Sequence, residues 1–92
     1  MEKIILKVIN EVGLHARPAA DFVRTAGQFK SKIEARNLTT GSPAADAKSI
    51  LSVLMLGVER GHEIELTAQG EDEAEAVQAL RALIESDFAG KF

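Results

Sequence analysis

The chain has 92 residues, of which 46% are hydrophobic and 27% charged, with a net charge of -3 and no cysteine. Such a length and balance describe one soluble globular domain, too apolar for a disordered chain and too short for a second core. The acidic balance argues against nucleic acid as the main partner, and the lack of cysteine removes disulfides, thiolate metal sites and thiol nucleophiles together.

The first apolar run, Ile4-Ile5-Leu6, stops at Lys7. It is too short for a signal core or a membrane span, so a cytoplasmic protein with no direct membrane insertion is expected. Residues 3–9 alternate, with Ile4, Leu6 and Val8 on one face and Lys3 and Lys7 on the other, which predicts a half-buried strand. Gly13 punctuates the segment that follows.

From Ala16 the period becomes helical, with Ala19, Phe22, Val23, Ala26 and Phe29 on the apolar side and Asp21, Arg24 and Gln28 on the wet side. Pro18 fits only the first turn of such a helix, which places His15 at or beside its N-cap, and Gly27 is the expected terminator. A second strand is expected at residues 31–35, with Ile33 and Ala35 pointing inward. Loop chemistry follows from Asn37 to Pro43, and a brief edge strand at residues 43–45. Asp46 reads as the N-cap of a short helix running to Leu54 or Met55.

Residues 62–68 alternate again, with Ile64, Leu66 and Ala68 inward. Glu71, Asp72 and Glu73 then suit the first turn of a last helix, because carboxylates complement the helix dipole there; Val77, Leu80, Leu83 and Ile84 form its buried stripe. The tail from Ala89 to Phe92 is expected to fray. The order β-α-β-β-α-β-α with short connections predicts an α+β fold, one antiparallel sheet with helices packed on one face.

The chemistry is concentrated in Gly13-Leu14-His15-Ala16-Arg17-Pro18-Ala19-Ala20. Neutral imidazole is a good nucleophile near neutral pH and forms covalent intermediates. A phosphoryl group on His15 would face the backbone N–H groups of Ala16 and Arg17 at the helix start, and the Arg17 guanidinium could fork onto the same phosphate. The residues alone also allow a plainer reading, in which His15 is a polar cap beside a surface arginine. His62 reads as a solvated turn residue, and the acidic run Glu71 to Glu75 as a helix start; no metal site and no cofactor are expected.

The segment Gly13 to Ala19 resembles the active-site segment of the HPr family, the histidine-containing phosphocarriers of the phosphoenolpyruvate-dependent sugar phosphotransferase system. Ala47-Lys48-Ser49-Ile50-Leu51 is similar to the family's serine segment, and the likeness continues through Leu56-Gly57-Val58, Gly61 and the Glu63–Thr67 strand to the last helix. The resemblance implies an open-faced β-sandwich of four antiparallel strands covered by three helices over residues 1–92. It implies a phosphocarrier, not an enzyme in the usual sense, in which His15 accepts a phosphoryl group from phosphorylated enzyme I through Nδ1. Arg17 would steady that group, and the A domains of sugar permeases would receive it.

Ser49 matches a serine that an HPr kinase phosphorylates in many Gram-positive relatives, with a transcriptional regulator as the reader; its plainer reading is a polar residue in a helical first turn. The resemblance points to Ala20, Arg24, Ile50, Leu51 and Leu54 as the partner-binding patch, and a monomer is expected. Two departures bear on Ser49, not on His15: the Asn37–Ala45 stretch is longer than the common form, and Ser52 and Leu54 stand where glycine and methionine are frequent. The rival readings are a carrier of a nitrogen-related or dihydroxyacetone kinase relay, a regulatory binding protein that acts through phosphorylated Ser49, and a small-ligand sensor.

Overall fold

The alternation at the start of the chain becomes strand β1, Glu2–Lys7, in the computed structural model, which describes residues 1–86. The other elements follow in the expected order: α1 (Ala16–Gly27), β2 (Lys32–Asn37), β3 (Ala45–Asp46), α2 (Ile50–Leu54), β4 (Glu63–Gln69) and α3 (Glu73–Glu85). The expected frayed tail, Ala89 to Phe92, lies outside the described residues.

The strands form one antiparallel sheet in the order β1-β4-β2-β3. Leu6 stands opposite Ile64 and Ala35 opposite Leu66, so the inward positions of three strands share one face. Because β1 and β2 both run antiparallel to β4, they are parallel to each other with β4 between them, and α1 is the crossover that joins them. The three helices cover one face, as expected of an open-faced sandwich.

The core lies between sheet and helices. Leu6, Val8, Ile33, Leu66 and Ile64 meet Phe22 of α1, Val53 of α2, and Val77, Leu80 and Ile84 of α3, all nearly or fully buried. Each such side chain contributes roughly 1.5–3 kcal/mol by leaving water. Pro18 is buried in the first turn of α1, as its missing N–H requires, whereas Val23, Phe29 and Leu83 are only partly covered.

Several boundaries move, each for a local reason. Strand β3 pairs Ala45 with Ala35 and Asp46 with Glu34, which leaves Pro43, with no N–H to give, outside the ladder. Asp46 is therefore a strand residue and not a helix cap; its carboxylate accepts the Lys48 N–H at 2.9 Å. The cap of α2 is Ser49, whose Oγ accepts the Ser52 N–H at 3.3 Å. Gly27 does not reverse the chain, because α1 ends through a right-handed Gln28 whose N–H returns to Thr25. Strand β2 runs on to Asn37, whose side-chain Oδ1 accepts the Thr39 N–H at 3.1 Å and starts the following turn.

Helix α3 starts at Glu73, two residues after the expected first acid, with Asp72 as its N-cap. Asp72 makes no capping bond. It turns instead to the start of β2, accepting the N–H groups of Lys30 and Ser31, each at 2.9 Å, and the Ser31 hydroxyl. These donors, the Ser31 hydroxyl foremost, favour the charged form and hold the carboxyl at about 2 against an ordinary 3.8.

A carboxyl lowered in the folded state stabilises fully above its unfolded value, and that stability is lost as pH falls through the folded value. Asp72→Asn is therefore expected to lower the thermal midpoint at neutral pH, with the gap to the wild type closing between pH 3.8 and about 2. A gap of constant size across that window would contradict the assignment. Ser49→Ala is expected to cost about 1 kcal/mol in chemical denaturation, as N-cap losses do, while Ser49→Asp keeps a capping oxygen and stays near wild type.

Candidate functional site

The loop between β1 and α1 is held against a second loop, between α2 and β4. Gly13 sits at φ +66°, and a Cβ there would come within 2.1 Å of the Val58 carbonyl oxygen. Only glycine permits both that backbone conformation and that approach. Next to it the Leu14 N–H donates to the Val58 carbonyl at 3.0 Å, and the Leu14 side chain is fully buried. From beneath, Asn10 Nδ2 donates to the Gly13 carbonyl at 2.6 Å.

His15 emerges from this clamp as the N-cap of α1, in extended conformation at φ -125° and ψ 163°, with no side-chain capping bond. The residue after it, Ala16, lies at φ +51°, a left-handed conformation that costs a non-glycine residue roughly 1–2 kcal/mol. Strain of this kind persists only where surrounding structure imposes it, and it gathers at functional sites. Arg17 is exposed on the first turn, two positions from the histidine.

The His15 ring is turned toward the second loop. Its Nε2 lies 2.7 Å from Glu59 Oε2, with the two side chains 36% and 61% exposed. A carboxylate can only accept, so the contact calls for the proton on Nε2, and a neutral ring bonded in this way keeps its lone pair at Nδ1. The Glu59 backbone is itself held: its N–H donates to His62 Nδ1 at 3.1 Å, and Asn37 Nδ2 lies 3.1 Å from the same nitrogen. His62 is thus a half-buried structural acceptor and not the solvated turn residue expected, because β2 places buried Asn37 beside it.

The partner-patch candidates separate by burial. Ile50, Leu51 and Leu54 are exposed, joined by Met55 at 79%, while Val53 and Leu56 turn into the core. Helix α2 packs on α1, where Ala20 is half-buried and exposed Arg24 reaches Asp21 at 3.2 Å. Ser49, half-buried, is fixed at the head of α2.

Glu59 and Asn37 escape sequence reasoning for different causes. Glu59 lies 44 positions from His15 in what reads as an exposed turn, so no local spacing connects them. Asn37 looks like ordinary loop composition, although its burial at a strand end is what gives it partners.

Residues 3–86 match the family model described as PTS HPr component phosphorylation site. The chain is 42% identical over 88 residues to the phosphocarrier protein HPr of Neisseria meningitidis, with 96% of each chain covered. It is 49% identical over 84 residues to the multiphosphoryl transfer protein of Salmonella typhimurium, covering 90% of this chain but only 21% of that relative's length. Among solved structures, HPr-C-His from Thermoanaerobacter tengcongensis superposes with a TM-score of 0.93 at 42% identity over the whole of both chains. A histidine clamped at a helix start, the matching fold and the span of these likenesses agree: the chain belongs to the HPr family of phosphotransferase-system phosphocarriers.

Proposed function

We propose that the chain carries a phosphoryl group on Nδ1 of His15, taking it from phosphorylated enzyme I and giving it to the A domain of a sugar permease. The observation that supports this best is the bond from Nε2 to Glu59, which leaves Nδ1 as the nitrogen with a lone pair for attack. Arg17, on the first turn of α1, has the reach and fork geometry to steady a phosphate on the ring, and the N–H groups of Ala16 and Arg17 add backbone donors. The chain supplies a preorganised nucleophile; each partner completes the transition state.

Docking falls to the exposed side chains Ile50, Leu51 and Leu54 with Ala20 and Arg24, to which Met55 is added. A small apolar patch suits weak, fast exchange between several proteins. Ser49 is the candidate for regulatory phosphorylation. A phosphate there would place about two negative charges at the edge of this patch, and the oxygen that caps α2 would be the one modified.

Incubation with phosphoenolpyruvate and purified enzyme I is expected to add one phosphate, acid-labile and alkali-stable, that is absent from His15→Ala by intact mass. No phosphate under conditions that label a known HPr would overturn the reading. Leu51→Asp is expected to slow transfer at least tenfold through a raised KM, because a buried charge at a docking surface costs more than 1.4 kcal/mol. Unchanged kinetics would remove Leu51 from the docking surface.

A further inference from the structure

We infer that Glu59 is a positioning residue for His15: it fixes the ring and its tautomer and faces the positive charge that the ring acquires on phosphorylation. The inference rests on the reading of His15 as the phosphoryl acceptor and deepens it.

Three observations converge on Glu59. Its carboxylate meets His15 Nε2 at 2.7 Å, the distance of a charge-assisted bond. Its main chain is anchored on both sides: the peptide group before it accepts the Leu14 N–H at the Val58 carbonyl, at 3.0 Å, and donates the Glu59 N–H to His62 Nδ1 at 3.1 Å, and the Glu59 carbonyl after it accepts the His62 N–H at 3.0 Å. The His62 nitrogen must be unprotonated to accept that N–H, and Asn37 Nδ2 lies 3.1 Å from it while also donating to the Leu56 carbonyl at 3.1 Å. The nucleophile and its acceptor therefore rise from two backbone segments bonded to each other, and the second segment is tied through His62 to the end of β2.

The chemistry follows from the proton count. The Nδ1 lone pair forms the bond to phosphorus as the bond from phosphorus to the donor's leaving atom breaks. The ring keeps its Nε2 proton throughout, so it gains one positive charge, and no base is needed to remove a proton. A carboxylate already bonded to that proton faces the charge as it develops. In the return step the electron pair of the N–P bond goes back to Nδ1, and the ring, still protonated at Nε2, leaves as a neutral imidazole. Glu59 thus serves loading and unloading alike, with no change in its own protonation.

The test pairs a spectrum with a rate. Nitrogen-15 NMR of the unphosphorylated protein is expected to show His15 in the Nε2–H form, with the Nε2-bound proton shifted downfield. Both signs should weaken in Glu59→Ala and in Glu59→Gln, whose amide can accept or donate. Single-turnover transfer from phosphorylated enzyme I is expected to slow about fivefold in Glu59→Ala, the upper end of what a solvent-exposed ion pair supplies. The thermal midpoint should barely move, since both side chains are exposed.

A His15 spectrum unchanged in Glu59→Ala would overturn the inference, as would transfer within experimental error of wild type. A wild-type chain that takes no phosphate would instead defeat the function proposed above, and the spectra would still decide the contact between Glu59 and His15.

Discussion

The contact between the Gly13 loop and the Val58 carbonyl is the constraint from which the rest of the site follows. One side chain larger than hydrogen at Gly13 would force the two loops apart by an ångström or more, since its Cβ would lie 2.1 Å from a backbone oxygen. With the loops apart, the Leu14 amide loses its acceptor and the base of His15 is no longer fixed relative to Glu59. The left-handed Ala16 belongs to the same arrangement: the chain leaves the clamp in one direction and must enter α1 in another, and a single strained residue makes the turn.

Rigidity and exposure are divided between the two helices involved. Helix α1 buries Pro18, Ala19, Phe22 and Ala26 and so holds its N-terminal histidine on a firm base. Helix α2 is five residues long and contributes Val53 to the core, while most of its remaining apolar surface faces solvent. An element that short gains little from its own hydrogen bonds, and depends on Ser49 at its head and on packing against α1. The reacting group stands on the better-buried helix and the apolar docking surface on the shorter one.

Most of the fold is legible in the sequence because it rests on periodicity. The inward sets Ile64, Leu66 and Ala68, or Val77, Leu80 and Ile84, follow from spacing alone, and each is buried. Caps were less legible: Asp46 and Ser49 are both good capping residues three positions apart, and the strand pairing of Asp46 with Glu34 decides between them. His15 and Arg17 could be singled out because nucleophile, helix start and guanidinium lie within a few consecutive residues. Glu59 and Asn37 could not, because their roles arise from contacts across the sheet and between loops, which no local pattern encodes.

The position of β4 carries a consequence for how the molecule comes into being. It lies between β1 and β2 in the sheet, yet among the described residues it is the last strand in the sequence. A chain emerging from the ribosome can pair β2 only with the two-residue β3 until residues 63–69 are free, and β1 has no partner at all. The same holds for the site, since Val58, Glu59 and His62 precede β4 directly and are placed by it. Folding of this domain is therefore a late event in its synthesis, and His15, made early, waits for the far half of the chain before it has a surrounding.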